Sequence, residues 1–297
     1  MSENANRGDL LKSPLRYPGG KGSFYNYVLA LIEKNNLIGS KYFEPYAGGA
    51  GVALALLSLN KVSQIFLNDA DYHIYSFWRA LLYENDRFIE KITKIKVTIK
   101  NWYLQKQIYT NPRIHKTFDV GFSTFFLNRC NRSGMLEAGP IGGYEQAGTW
   151  KINARFNKKI LIERIMKIAS MADKIIVKNM DGIVFMKKYL PMGHERKKVL
   201  VYADPPYVSA GSDLYLNYFT VKDHTKLANY FQRQLLLNWV VTYDNNLLIK
   251  QLYYTCQKLL FYLNYSLQTK RKGTELLILP SKVLPPRKNI LKIDKCK

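Results

Sequence analysis

The sequence predicts an α/β protein. The expected architecture is an open, doubly wound sheet with a C-terminal antiparallel β-hairpin and an inserted, mainly helical domain. Three observations carry this. First, the strand-like run Lys41–Tyr46 enters Ala47-Gly48-Gly49-Ala50-Gly51 and then an apolar helix, and the next strand-like run, Gln64–Leu67, ends in Asn68-Asp69. A glycine-rich strand-to-helix turn, with an acidic residue about 20 positions on at the next strand end, is the nucleotide-binding device of open α/β sheets. Second, the α/β rhythm stops between residues 84 and 170 and resumes afterwards. Third, the Val-rich run Val199–Tyr202 leads into Asp204-Pro205-Pro206-Tyr207, which ends a buried strand stiffly because each proline fixes its own φ and removes a backbone donor.

The elements follow in order. Residues 1–13 read as a polar leader. Tyr17-Pro18-Gly19-Gly20-Lys21 is a turn opening a helix over Phe24–Ile32, and a helix N-terminus beside a lysine suits an anion. Its glycine spacing is not that of a P-loop, and an ordinary turn reads equally well. After the Gly48–Gly51 turn comes the Asp69 strand end, where a ribose would be held. Asp71 is a rival for that role, but it already begins the helix Tyr72–Tyr83. The full dinucleotide glycine fingerprint is missing, which favours another adenosine-bearing cofactor. The insert 84–170 carries sixteen Lys and Arg against seven Asp and Glu. It reads as a helix through Arg129-Cys130-Asn131-Arg132-Ser133 and then a Gly-rich hairpin, a combination suited to phosphates and base edges. A solvated basic lobe is the alternative.

Beyond the insert, Asp173–Lys178 is a strand and Gly182–Leu190 a helix. Asp181 between them suits a cofactor adenine or a helix cap equally. Ser209–Asp213 reads as a mobile loop, and Val221 to about Leu236 as a helix. Trp239–Tyr243 is a fifth strand. Leu259–Leu267 and Thr274–Leu279 flank a basic turn, and residues 281–297 read as a basic, flexible tail.

Composition narrows the partners. Lys and Arg number 45 against 22 Asp and Glu, a net +23, which favours a polyanion such as nucleic acid. The three cysteines have no metal-ligand spacing, so no metal site is expected, and a reducing, cytoplasmic setting fits. No run approaches the roughly 18 apolar residues of a membrane span. Asp-Pro-Pro-Tyr itself offers a carboxylate, carbonyls released from ladder pairing and an aromatic face, a set able to grip a planar group bearing an NH2.

Taken together, Tyr-Pro-Gly-Gly-Lys, Glu-Pro-Tyr-Ala-Gly-Gly-Ala-Gly, Asn-Asp-Ala-Asp, the basic insert, Asn-Met-Asp, Asp-Pro-Pro-Tyr and Tyr-Leu-Asn-Tyr-Phe-Thr resemble, in order and spacing, the Dam-like family of DNA adenine methyltransferases that use S-adenosylmethionine. The resemblance spans about residues 14–280. It implies a methyltransferase sheet built from residues 14–83 and 171–280, with residues 84–170 as the target-recognition domain. It implies that Tyr17, Lys21, Glu44, Gly48, Gly49, Gly51, Asp69, Asp181 and Asp204 line the cofactor site. Asp204, Pro205, Pro206 and Tyr207 would hold a flipped-out target adenine, with Phe219 or Tyr218 as a second stacking face. Arg129, Asn131, Arg132 and Ser133 would contact double-stranded DNA. A nucleoid-associated enzyme, with a cognate restriction endonuclease as a candidate partner, fits the same family. RNA adenine methylation and a non-catalytic nucleic-acid-binding protein on the same fold are the competing readings.

Overall fold

A computed structural model describes residues 10–16, 24–208, 219–265, 271–286 and 293–295. Residues 17–23, with Tyr17 and Lys21, and residues 209–218 lie outside them. The chain divides into two compact units, residues 19–70 with 178–297 and residues 1–18 with 71–177.

The first unit carries the sheet. In chain order its elements are α1 (Phe24–Lys34), β1 (Ser40–Glu44), α2 (Gly51–Ser58) and β2 (Val62–Asn68). The second unit supplies α3 (Tyr72–Tyr83), α4 (Asn85–Lys94), α5 (Ile99–Thr110), α6 (Thr117–Cys130) and α7 (Lys158–Ala169). The division falls inside β3 (Ile175–Lys178), and the first unit resumes with α8 (Gly182–Tyr189), β4 (Val199–Ala203), α9 (Val221–Gln232), β5 (Asn238–Asp244), α10 (Leu247–Leu252), β6 (Gln257–Tyr265), β7 (Arg271–Leu279) and β8 (Ile293–Lys295).

Among the described residues the strand order is β3-β2-β1-β4-β5-β7-β6-β8. The strands β2, β1, β4 and β5 run parallel, and β7, β6 and β8 close the sheet antiparallel. The chain winds outward from β1 through β2 and then returns to β4, so the order reverses between β1 and β4. Ligands of open α/β sheets bind at that reversal, outside the carboxyl ends of the strands. The architecture is a doubly wound, Rossmann-like α/β sheet with a C-terminal antiparallel β-hairpin. The central strand β4 is a continuous apolar run, buried at every position, as a parallel strand covered on both faces requires. Phe43 and Phe66, directly paired across β1 and β2, stack with ring centroids 4.2 Å apart and Phe185 of α8 beside them, a contact worth about 1 kcal/mol beyond its buried area.

The second unit is helical around a cluster of Phe77, Phe88, Phe118, Phe122 and Phe125. It includes α3 and residues 10–16, whereas the sequence placed α3 and the chain from residue 14 with the sheet. The reason is a close helix crossing. A Cβ on Gly121 of α6 would stand 2.2 Å from the Ser76 carbonyl of α3, so only glycine lets the two backbones meet. Arg16 is tied to α6 as well: its N–H donates to Asn128 Oδ1 at 2.6 Å, and Asn128 Nδ2 donates back to its carbonyl at 2.7 Å.

Three local expectations are corrected. The Gly-rich stretch after α6 is a looped turn with one bridge, Asn131 to Pro140, and no hairpin. Gln146 holds it from inside, donating to the Ile141 carbonyl and accepting from the Ile152 N–H. The helix expected to reach Leu236 ends at Gln232. Residues 281–286 are a docked strap and no loose tail. Val283 is fully buried, Asn35 exchanges two hydrogen bonds with Leu284, and Gln257 donates to the carbonyls of Pro280, Ser281 and Val283.

Candidate active site

Three acidic residues stand at or just beyond the carboxyl ends of β1, β2 and β3, and each accepts from a backbone N–H. Glu44 ends β1 and is buried. Its Oε1 accepts from Tyr42 OH at 3.1 Å and from the Ala53 N–H in the first turn of α2 at 3.2 Å, which offsets the burial of the carboxylate. The turn between them runs through two left-handed residues, Gly48 (φ 46°) and Ala50 (φ 47°), on either side of Gly49. Asp69, just past β2, accepts from the Gly48 N–H at 2.9 Å, so the ribose-site candidate and the glycine turn form one unit. A Cβ on Gly51 would meet nothing within 4 Å.

Asn68 is a residue that motif reasoning missed. It is 1% exposed, donates to the Pro45 and Met180 carbonyls and accepts from the Met180 N–H. One side chain thereby ties the exits of β1 and β3 to the end of β2. Asp181 caps α8, its Oδ1 accepting from both Ile183 and Val184 N–H at 2.9 Å. Gly182 is required next to it, because a Cβ there would lie 2.7 Å from the Tyr46 ring. Burial, then the charges of Asp181, Asp223 and Asp69, push the Tyr46 phenol far up, so it stays a protonated donor. Asp71 is spent on capping α3 through the His73 N–H.

Across the switch point, Asp204 leaves β4 half-buried. Its Oδ1 accepts from Thr242 Oγ1 of β5 at 2.6 Å and from Tyr207 OH at 3.2 Å. Pro205 is buried. Asp244, at the end of β5, accepts from the Val208 N–H at 3.1 Å. The Asp-Pro-Pro-Tyr turn is thus held at both ends by β5. An aromatic path runs beside it. The Tyr46 ring meets Phe219 edge-on at 5.8 Å, Phe219 contacts His224 at 5.4 Å, and Tyr243 contacts Tyr207 at 6.4 Å. His224 Nδ1 lies 2.9 Å from Tyr243 OH, and burial lowers its pKa and keeps it neutral. Of the two residues expected as a second stacking face, Phe219 is described and joins this path; Tyr218 is outside the described residues.

The residues assigned to DNA contact sit in the helical unit, and their environments differ. Arg132 is exposed, and Ser133 is half-buried in a left-handed turn (φ 55°). Arg129 is half-buried and donates to the Arg155 carbonyl through Nε at 2.7 Å and through a second nitrogen. Burial, then neighbouring Arg16 and Arg164, bring its pKa down to about 10, still charged near neutrality. Asn131 departs from the expectation. It is fully buried, accepts from Trp102 Nε1 at 2.7 Å and donates to the carbonyls of Met135 and Leu136 at 3.0 Å. Its side-chain oxygen and nitrogen are both engaged within the loop and by Trp102.

A comparison with curated proteins found no match. Among solved structures, one of the matches is SMU.472, described provisionally as a methyltransferase and crystallised with SAH. The two share 8% identity over 91% of this chain and 82% of that one, with a TM-score of 0.27, too weak a likeness to carry structural argument. The family comparison is of another kind: a family model matches residues 17–266, a span containing the glycine turn, the strand-end acids and the Asp-Pro-Pro-Tyr turn. The chain belongs to the D12 class of N6 adenine-specific DNA methyltransferases.

Proposed function

We propose that the protein transfers a methyl group from S-adenosylmethionine to N6 of an adenine in duplex DNA, at a recognised site, with the base flipped out of the helix. The observation that supports it most is the Asp204 carboxylate, pinned by Thr242 and Tyr207 at the switch point of a sheet whose neighbouring strand ends carry Glu44, Asp69 and Asp181. The N6 of a paired adenine sits at the major-groove edge with one N–H held by its partner base, and the base has to leave the stack to enter an active-site pocket. The N6 lone pair is delocalised into the ring. Asp204 and the Pro205 carbonyl would accept its two N–H bonds, localise the lone pair and offset the positive charge the nitrogen gains. The Tyr207 ring would stack on the base, and because its hydroxyl donates to Asp204, ring and carboxylate are set together. Positioning of this kind supplies much of the rate in such a reaction.

The donor set fits the cofactor. Two left-handed residues, Gly48 and Ala50, shape one tight turn, Gly51 leaves room at the backbone, and three carboxylates suit ribose hydroxyls, an ammonium and a sulfonium. Asp69 would hold the ribose, Glu44 and Gly48–Gly51 the amino-acid portion, and Asp181 the adenine. Tyr17 and Lys21 are assigned there from the sequence. When bound, S-adenosylmethionine supplies an electrophilic methyl group. Arg132, Ser133 and Arg129 are proposed on the DNA-facing side of the helical unit. No helix among the described residues is long and apolar enough to cross a membrane. A cytoplasmic enzyme acting on nucleoid DNA, alone or beside a restriction endonuclease, is consistent with this.

The test is single-turnover transfer of labelled methyl to duplex DNA. Asp204→Ala should abolish transfer and leave duplex binding, followed by anisotropy, within about twofold, since it removes a transition-state contact and no phosphate contact. Transfer to RNA in place of DNA would move the substrate assignment. Undiminished transfer by Asp204→Ala would remove the residue from the mechanism.

A further inference from the structure

We propose that Thr242 is a positioning residue for the methyl transfer: its buried hydroxyl orients the Asp204 carboxylate before the adenine arrives. The inference rests on the function proposed above and adds a residue that no part of the Asp-Pro-Pro-Tyr motif contains.

Thr242 sits in the middle of β5 among Trp239, Val240, Val241 and Tyr243, and it is fully inaccessible to solvent. A hydroxyl in such a strand costs free energy unless it is bonded, and a valine there would pack as well. The hydroxyl is bonded on two sides. Oγ1 lies 2.6 Å from Asp204 Oδ1 and 3.1 Å from Tyr202 OH. The direction of both bonds is fixed by elementary chemistry. An ionised carboxylate only accepts, so Thr242 donates to Asp204. Its single proton is then used, so it accepts from Tyr202. The result is a one-way chain from Tyr202 OH through Thr242 to Asp204.

The sheet makes this possible. Tyr202 pairs with Val240 and Ala203 with Val241, so the register carries Asp204 alongside Thr242. Residues 202 and 204 point to the same face, as alternate residues of a strand do. Tyr202 is 5% exposed and braced by the Phe24 ring at 5.2 Å, so the outer end of the chain is held in turn. Tyr207 OH approaches the same Oδ1 from the turn side at 3.2 Å. Two donors on one oxygen, one from the sheet and one from the turn, set both the rotamer and the plane of the carboxylate. That plane decides whether the adenine amino group is met along its N–H direction. A misplacement on the ångström scale at such a contact costs as much as a hundredfold in rate.

Thr242→Val keeps the volume and removes the hydroxyl. The expected result is a kcat lower by about tenfold to a hundredfold, with KM for S-adenosylmethionine and duplex affinity unchanged. Thr242→Ser should recover most of the rate. If Thr242→Val does not fold, the pair Thr242→Ser and Thr242→Ala asks the same question, because they differ by one oxygen. The serine enzyme should then be about tenfold faster in single turnover. Equal rates in either comparison, with both proteins folded by circular dichroism, would overturn the proposal. So would a loss confined to KM. Failure of the underlying function reads differently: the unaltered enzyme would then transfer no methyl to adenine in DNA.

Discussion

At the residue scale, His73 shows how local geometry fixes a charge. Its Nδ1 lies 3.0 Å from Asp71 Oδ1 and its Nε2 2.9 Å from the Tyr109 carbonyl. Both neighbours only accept, and a neutral imidazole has a single N–H. Only the imidazolium satisfies both. Burial works to lower the pKa, but the bond and charge of Asp71 and the Tyr109 carbonyl outweigh it and raise it above the ordinary 6.5. The sign of the linkage follows. The stabilisation is fully present below about pH 6.5, where the unfolded chain also carries the proton, and it is lost as pH rises through the raised native value. The melting temperature of His73→Gln should therefore fall furthest below that of the native protein in mild acid, and the gap should narrow toward alkaline pH. A gap that widens with pH would show that the ring is neutral in the fold. Thermal melts of both proteins across the range decide it.

At the element scale, the crossing of α3 and α6 leaves no room for a side chain at Gly121. Gly121→Ala puts a methyl within 2.2 Å of a backbone carbonyl, and a backbone atom cannot rotate away. The helices have to separate, at a cost of about 3 kcal/mol or more, and a chemical-denaturation midpoint lowered without loss of sheet signal is the expected readout. Unchanged stability would mean that the crossing is looser than it stands. This contact also explains what the sequence revealed and what it hid. The strands were legible because an apolar run announces itself locally, and Asp204 because its prolines and tyrosine are adjacent to it. The inclusion of α3 in the helical unit was not, since it depends on Gly121 meeting a residue 45 positions away in the chain. Thr242 and Asn68 were hidden for the same reason. Thr242 bonds Asp204 across 38 residues, and Asn68 reaches Met180 across 112. The Gly-rich stretch after α6 read as a hairpin because glycines mark turns, while the feature that organises it is the side chain of Gln146 turned inward.

At the scale of the whole molecule, the net charge of +23 has a measurable consequence. A duplex carries a condensed layer of counterions, and each phosphate neutralised by a lysine or arginine releases nearly one of them. Affinity should therefore fall linearly on a logarithmic plot against salt, with a slope of about −0.9 per contact. Two neighbouring residues of the loop proposed to face DNA should respond differently, because one is exposed and the other buried. Arg132 is exposed at the loop surface, so Arg132→Ala should reduce the magnitude of the slope by about 1 and leave the melting temperature nearly unchanged. Asn131 is buried one position earlier. Asn131→Ala strands the Trp102 N–H and two carbonyls and should cost about 1–3 kcal/mol of stability, with the slope intact wherever the protein remains folded. Anisotropy titrations from about 50 to 200 mM salt, a range over which six to ten phosphate contacts change affinity by roughly a thousandfold or more, separate the two effects. An Arg132→Ala slope equal to that of the native protein would take this loop off the DNA face and move recognition to another basic surface of the helical unit.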